Sequence, residues 1–282
     1  MKFSIITPSL NQGQYIRETI ESVLSQPGNF SIEYIVIDGD STDDTKAILK
    51  EYEERIMSGS YPFQCTAISF SWWTQGGKGQ SQAINEGFAK AAGDMLAWIN
   101  SDDFYEPGAF AAVQDGYAKD SAASLFCGDV YFKNELTNTT DRRRPEDLSF
   151  EGITTRGHRI YQPGAFFPRR VLQEVGRLDE SLHYVMDYDL WVRLLSKGTA
   201  YRIEEPLATF RIWQNSKTSL SKKKFEEEWR LVHKTYGLPL INPKTVSRLT
   251  KSFPFEKARN MAPGSYEKIK RLFYRISRSI HY

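Results

Sequence analysis

The sequence has few cysteines, no long apolar run and almost no net charge, and each of these absences narrows the class of protein. Cys65 and Cys127 are the only cysteines among 282 residues, which excludes a disulfide framework and favours a reducing compartment. No run of about 18 apolar residues occurs, which argues against a transmembrane helix. The apolar stretch at the start of the chain ends by Ser9 and is too short for a signal peptide. We therefore expect a cytoplasmic protein.

The net charge of +2 conceals an uneven distribution. Residues 244–282 contain ten basic and two acidic residues, which leaves 27 basic and 33 acidic residues in the remainder. An acidic body argues against a nucleic-acid partner. In a helix over 268–280, five apolar residues would form one stripe surrounded by Lys and Arg: Ile269, Leu272, Phe273, Ile276 and Ile280. The tail is thus predicted either to bind an anionic membrane surface peripherally or to pack on the body.

Strand-like and helix-like stretches alternate over the first half of the chain. Apolar runs predict strands at 3–7, 33–37, 95–99 and 125–132, and a helical period predicts helices at 15–25, 80–92 and 107–117. This alternation predicts an α/β protein with a largely parallel sheet that binds ligands at the carboxyl ends of its strands. Further along, we predict a surface loop at 133–157, short helices at 171–175 and 188–195, strands at 200–203 and 207–212, and a charged helix at 223–236.

Two common nucleotide-binding motifs are absent. The segment 7–11 (TPSLN) follows the first strand, where a dinucleotide-binding fold would place G-x-G-x-x-G. In the segment 76–79 (GGKG), the lysine is not followed by the Ser or Thr that a phosphate-binding P-loop requires. The sequence therefore disfavours both an NAD enzyme and a P-loop NTPase.

Acidic residues follow two of the predicted strands. An acid at the end of the second strand, such as Asp38, can accept the N3–H of a uracil or thymine ring, although the residues after it are also ordinary turn and helix-cap residues. The adjacent carboxylates of Asp102 and Asp103 repel each other unless a cation or hydrogen-bond donors compensate them. Oxygen ligands of this type favour Mg²⁺ or Mn²⁺ shared with substrate phosphates, and an Asp-rich turn is the alternative.

A third acidic cluster, Asp187 and Asp189, enters a predicted helix. Asp187 taken alone could be a helix N-cap and nothing more. Three acidic clusters at predicted strand or helix ends together favour a functional site over three independent turns.

Five segments in this order resemble the family 2 glycosyltransferases, which have the GT-A fold: 7–11 (TPSLN), 36–43 (VIDGDSTD), 78–80 (KGQ), 97–103 (AWINSDD) and 186–191 (MDYDLW). The resemblance runs from Ser4 to about Thr218. It implies a GT-A (nucleotide-diphospho-sugar transferase) fold, with a mostly parallel central sheet flanked by helices. It also implies a metal-dependent glycosyltransferase that moves a sugar from a nucleotide-sugar donor, UDP- or dTDP-linked, to a hydroxyl of a glycan or lipid-linked acceptor in cell-surface polysaccharide or O-antigen synthesis.

The same resemblance implies roles for individual positions. It assigns Thr7, Pro8, Ser9 and Asn11 to the nucleoside loop, Asp38 or Asp40 to the base, Lys78 and Gln80 to the donor, Asp102 to the ribose, Asp103 to a Mn²⁺ or Mg²⁺ ion, and Asp187 to the catalytic base. Weaker candidates for contacts with the acceptor or the diphosphate are Gln162, Asp189, Trp191, Arg211 and Lys217.

Two positions depart from the family pattern. Gly39 stands where many relatives have a second Asp, which leaves open whether Asp38 or Asp40 contacts the base. Trp213 stands where relatives often have a His that completes the metal shell. We therefore expect the ion to depend on Asp103, the diphosphate and water, with Arg211 or Lys217 adding positive charge.

The implied reaction inverts the anomeric centre, with Asp187 taking the proton of the acceptor hydroxyl. A sugar-phosphate nucleotidyltransferase would usually open with a glycine-rich, Arg-containing loop, which 7–13 is not. A non-catalytic binding module is disfavoured because Asp187 and both carboxylates of the expected metal motif, Asp102 and Asp103, are present. We expect a catalytic domain at 1–220, with a nucleotide-binding half at about 1–105 and an acceptor half at about 106–220, and a helical, basic C-terminal extension at 221–282.

Overall fold

The computed structural model describes residues 1–77, 79–155, 159–214 and 222–239. Over these residues the strands are β1 (Lys2–Ser9), β2 (Ser31–Asp38), β3 (Ala67–Thr74), β4 (Met95–Trp98), β5 (Phe104–Tyr105), β6 (Leu125–Asn134), β7 (Thr139–Arg143), β8 (Ala165–Pro168) and β9 (Ala200–Ile212). The helices are α1 (Ile16–Leu24), α2 (Thr45–Met57), α3 (Gln80–Lys90), α4 (Ala109–Lys119), α5 (Phe150–Thr154), α6 (Arg169–Val175), α7 (Met186–Leu195) and α8 (Lys222–Thr235). A single turn of 3₁₀ helix, Gln162–Gly164, precedes β8.

The strands form one sheet in the order β3-β2-β1-β4-β8-β6-β9-β5, with β7 paired to β6. The first four strands in this order are mutually parallel, and β6 is parallel to β9. The short strands β5, β7 and β8 pair antiparallel with their neighbours. The predicted α/β fold with a mostly parallel central sheet flanked by helices is confirmed.

The two faces of the sheet carry separate apolar cores because successive strand residues point to opposite faces. On one face, Ile6 and Trp98 pack with α3, α6 and α7. On the other face, Phe3 packs with α1, α2 and α4. Helix α3 lies very close to β1: a Cβ at Gly87 would fall 2.7 Å from the side chain of Ile6. Both cores fix the strand ends from which the site is built.

Most predicted elements are confirmed, and the differences lie where elements are short or at an edge. The predicted loop at 133–157 contains the end of β6, all of β7 and α5, and the two strands predicted at 200–203 and 207–212 are one strand, β9. The pairing register between β6 and β9 shifts on both sides of Asp129. This irregularity breaks the apolar sequence pattern from which a single long strand could be recognised. No element was predicted for β3, β5 or β8. β3 is an edge strand with half of its side chains exposed, and the other two have only two and four residues.

The sheet continues without a break past residue 105, so both predicted halves of the catalytic domain share it. The described start of the predicted extension, α8, contributes Val232 to the core of the body. None of the described helices is long and apolar enough to cross a membrane. The predicted tail helix at 268–280 lies outside the described residues.

Candidate active site

The carboxyl ends of the four parallel strands lie at one edge of the sheet. The pairing register aligns Ser9 of β1 with Asp38 of β2, and Asp38 with Thr74 of β3. The segment 100–103 follows β4 at the same edge. Ligands of open α/β sheets bind at such an edge. The structure therefore brings the first, second and fourth predicted motifs together.

The loops after β1 and β2 are joined by side-chain hydrogen bonds. Asn11 has a left-handed backbone (φ 52°), which Asn tolerates better than most residues. Its N–H donates to Ser41 Oγ at 2.8 Å, and its Oδ1 accepts from the N–H of Thr42 at 2.8 Å. The buried hydroxyl of Thr7 accepts from Tyr34 at 3.0 Å. Asn11 and Thr7 thus shape the loop, and Pro8 is buried beside them.

The two acids proposed to contact the base occupy different environments. Asp38 is fully buried, and its carboxylate accepts from the N–H groups of Asp40 and Ser41 and from the Ser41 hydroxyl. Asp40 is exposed and pairs with Lys46 at 2.6 Å. The Asp38 carboxylate therefore holds the loop after β2 in place through these hydrogen bonds. One lone pair on its Oδ1 remains for a ligand.

Several buried oxygen atoms at this edge have no protein partner in the described part of the chain. They include Oγ of Ser9 and Oε1 of Gln75, two residues that are 5% and 7% exposed. Gln75 follows β3, and its backbone N–H donates to the carbonyl of Asp38 at 2.8 Å. Buried polar atoms are rarely left unpaired, so both oxygens mark a place where a polar ligand fits. The sequence prediction included Ser9 but missed Gln75, because β3 itself was not predicted.

The adjacent acids after β4 are not equivalent. Asp103 is buried, and its two oxygens accept from the N–H of Arg211 at 2.8 Å and from the amide of Asn100 at 3.3 Å. Burial and the neighbouring Asp102 raise the pKa of the Asp103 carboxyl well above its usual range. Asp102 is half-buried, and one oxygen accepts from the indole N–H of Trp213 at 2.8 Å. In this geometry Asp102 is the more accessible of the two carboxylates.

Arg211 holds this pair in place from β9. Its Nε donates to the carbonyl of Asp102 at 2.8 Å, and its two terminal nitrogens bind Glu18 and Glu135. The guanidinium also lies 4.5 Å from the centre of the Tyr15 ring. Two carboxylates already compensate the charge of Arg211. Its buried side chain therefore has a structural role here and is not an exposed partner for a diphosphate.

Two side-chain amides border the end of β4. Gln80, the first residue of α3, donates to Asn100 Oδ1 at 2.8 Å. Gln162 donates to the carbonyl of Trp98 at 2.6 Å. Both predicted residues therefore lie at the site, where they position the segment 100–103.

Asp187 lies in the first turn of α7 but is not its cap. The capping position is held by Val185, which provides no side-chain hydrogen bond. Asp187 Oδ1 accepts from the N–H of Tyr188 at 2.8 Å. The alternative role of Asp187 as an N-cap is therefore not supported. The turn before α7 contacts the nucleotide side of the site, since Ser81 of α3 donates to the carbonyl of Leu182 at 3.0 Å.

The other two predicted residues of α7 face the interior. Trp191 is 2% exposed, with its ring stacked on Trp98 at 5.5 Å between centroids. Asp189 is also buried, and one of its oxygens accepts two hydrogen bonds from Arg193. Both side chains lie in the interior of the fold, and the indole N–H of Trp191 has no protein partner in the described part of the chain.

Truncating Trp191 should therefore affect stability first. We expect Trp191→Ala to lower the free energy of unfolding by about 3–5 kcal/mol, because it empties a packed aromatic site, and Trp191→Phe to cost clearly less. Urea unfolding followed by circular dichroism measures both. Phe63→Ala is the control, since Phe63 is 48% exposed and should change stability by about 0.5 kcal/mol or less. Wild-type stability of Trp191→Ala would show that the residue is not part of the core.

Lys78 and Lys217, both predicted to lie near the donor phosphates, fall outside the described residues. Among the residues that the structure does describe, no group of three or more His, Cys, Asp or Glu side chains forms a metal cluster. The accessible carboxylate of Asp102 nevertheless fits a divalent ion that shares its coordination with substrate phosphates. The metal dependence expected from the sequence stays a prediction.

Comparisons with known proteins bear on the family of the chain and not on individual site residues. The sequence model of the family described as "Glycosyl transferase family 2" matches residues 4–176. An uncharacterized glycosyltransferase of Rickettsia typhi is 27% identical over 235 residues, which cover 79% of this chain and 68% of the relative. TuaG of Bacillus subtilis, whose description names teichuronic acid biosynthesis, is 28% identical over 233 residues, which cover 80% of this chain and 85% of TuaG. Asp187 lies beyond the segment that the family model matches.

Solved structures share the fold at low sequence identity. S. aureus TarS 1-349 in complex with UDP-GlcNAc has a TM-score of 0.61 and 17% identity, over 82% of this chain and 65% of that one. GalNAc-T7 with UDP, GalNAc and Mn²⁺ has a TM-score of 0.56 and 15% identity, over 83% of this chain and 47% of that one. The chain thus spans less than two thirds of either structure.

Proposed function

The chain belongs to glycosyl transferase family 2, and from that premise we propose that it moves a sugar from a UDP- or dTDP-linked donor to a hydroxyl of a glycan or lipid-linked acceptor. The observation that carries the choice of donor is the pair of unpartnered buried oxygens, Ser9 Oγ and Gln75 Oε1, on either side of Asp38. Uracil and thymine rings present one N–H donor and two carbonyl acceptors. The Ser9 hydroxyl can donate to a carbonyl, and Gln75 or Asp38 can accept the N–H.

The diphosphate is proposed to lie next to the segment 100–103. Asp102 is the accessible carboxylate there; Trp213 donates to one of its oxygens, and Arg211 donates to the backbone carbonyl of the same residue. A divalent ion bound by Asp102 and the donor phosphates would neutralise the charge that develops on the leaving diphosphate. Asp103, with both oxygens engaged, is proposed to fix the shape of this segment and not to carry the ion.

The acceptor is proposed to approach from the side of α7, with Asp187 taking the proton of the attacking hydroxyl. An open cleft of about 550 Å³ lies next to the turn before α7, lined by Gly79, Gln80, His183, Tyr184, Lys224, Glu227 and Glu228. We propose that the acceptor enters through this cleft. Attack by the hydroxyl on the face opposite the diphosphate would invert the anomeric centre. The similarity to TuaG, a putative teichuronic acid biosynthesis glycosyltransferase, supports an acceptor of the cell-surface polysaccharide type. A cytoplasmic location with peripheral membrane contact through the tail stays a prediction.

Donor binding tests this assignment directly. We expect UDP and UDP- or dTDP-sugars with Mn²⁺ to raise the melting temperature more than GDP-sugars at equal concentration, because a ligand of the native state raises apparent stability. Gln75→Ala should reduce this preference, since it removes one proposed contact with the base. Gln173→Ala is the matched control, since it removes an exposed glutamine from α6. A larger shift with GDP-sugars would contradict the proposed base.

A further inference from the structure

Helix α8 is fastened to α7, the helix that carries Asp187, by two tyrosine hydrogen bonds. The hydroxyl of Tyr188 lies 2.7 Å from His233 Nε2, and His233 Nδ1 lies 2.7 Å from the carbonyl of Pro239. Because a carbonyl only accepts, Nδ1 carries the proton and Nε2 accepts from Tyr188. The hydroxyl of Tyr236 donates to Asp189 at 2.9 Å. These contacts dock α8 on the middle of α7.

A separate contact from α8 reaches the turn before α7. One oxygen of Glu228 lies 3.0 Å from the N–H nitrogen of His183, 2.6 Å from that of Tyr184 and 3.2 Å from that of Val185. Backbone N–H groups at the start of a helix lack intrahelical partners, and a negative charge there is favourable. The N-cap Val185 has no side-chain hydrogen bond of its own, and Glu228 accepts from its N–H while it also holds the two residues before it.

We propose that Glu228 is a positioning residue for the reaction, because it fixes the turn 183–185 and thereby the place of Asp187. The inference rests on the proposed role of Asp187 as the base. A general base works only within hydrogen-bond reach of the proton it takes. Asp187 follows Val185 by two residues, so a shift of the turn moves the carboxylate relative to the acceptor hydroxyl.

The contacts separate this role from simple anchoring of α8. The bonds of His233 and Tyr236 to α7 do not involve Glu228, so α8 stays docked when the Glu228 carboxylate is changed. Glu228 also lines the cleft next to the turn before α7, which makes a direct contact with the acceptor the main alternative. That alternative predicts a changed acceptor KM, whereas positioning predicts a changed kcat.

Glu228→Gln keeps the size of the side chain but removes its charge and one acceptor oxygen. We expect kcat to fall by about 10- to 100-fold, with both KM values within about twofold of wild type. The melting temperature should stay close to that of wild type. Glu226→Gln, an exposed acid on the same helix, is the control and should transfer at the wild-type rate. A change confined to the acceptor KM, or no change at all, would overturn the proposal.

A double variant separates this inference from the proposed function. If Glu228 acts through Asp187, adding Glu228→Gln to Asp187→Asn should cost no more than about twofold further in rate. If the two losses of rate multiply in the double variant, the positioning role of Glu228 is wrong, while the proposed role of Asp187 as the base still stands. Wild-type transfer by Asp187→Asn would refute the proposed base and this role of Glu228 with it.

Discussion

Replacing Asp187 with asparagine should lower the rate of sugar transfer by about 100-fold or more, while donor affinity stays unchanged. Asparagine keeps the size of the side chain and the oxygen that accepts from the N–H of Tyr188, but it cannot take a proton. The helix should survive the change, because Asp187 is not its cap, and Glu228 accepts from the N–H groups of Tyr184 and Val185 in the turn before it. Losing one acid near a helix N-terminus costs only about 0.3–1 kcal/mol.

Single-turnover transfer with saturating donor measures this effect apart from product release. Asp115→Asn is the matched control, since it removes an exposed acid from α4 on the other face of the sheet. Donor binding, followed by thermal shift, should be the same for wild type and both variants. If Asp187→Asn transfers sugar at the wild-type rate, the proposed base is wrong.

The fold could be predicted where one physical signal dominates. β4 is a continuous apolar run because both of its faces are covered, β1 has three apolar residues among its first five, and α1 has a clear apolar stripe. The signal failed for β3, an edge strand with an open face, and for β8, which is four residues long and pairs antiparallel. These two segments are strands because they pair with neighbouring strands in the sheet, and their local sequence pattern does not reveal that pairing.

The site could be located from the sequence, but the task of each side chain could not. The motifs place Thr7, Trp191 and Arg211 near the ligand edge, yet the structure turns all three inward and satisfies the polar ones within the protein. A sequence pattern does not reveal which polar atoms already have partners. Gln75 is the converse case. The side-chain oxygen of Gln75 is unpaired in the described part of the chain. The alternation of aromatic and small residues in β3 could have revealed the strand, and with it the position of Gln75 at its end.

The same limit applies to the two acids after β4, and paired substitutions there should separate them. The resemblance assigns the ion to Asp103, whereas accessibility favours Asp102. We expect Asp102→Asn to remove the Mn²⁺-dependent part of donor binding and most of the transfer activity. Asp103→Asn should retain most of the Mn²⁺-dependent binding, because asparagine can still accept from the N–H of Arg211.

Thermal shift with UDP, in Mn²⁺ and in excess chelator, resolves the two assignments. At a ligand concentration about 100 times Kd, binding stabilises the native state by about 2.7 kcal/mol, so its loss is readily measured. Asp115→Asn again controls for the removal of a negative charge. If Asp103→Asn loses the Mn²⁺-dependent shift and Asp102→Asn keeps it, the ion belongs to Asp103 and the buried carboxylate must become accessible when the donor binds. Full wild-type activity in excess chelator would contradict metal dependence through either acid.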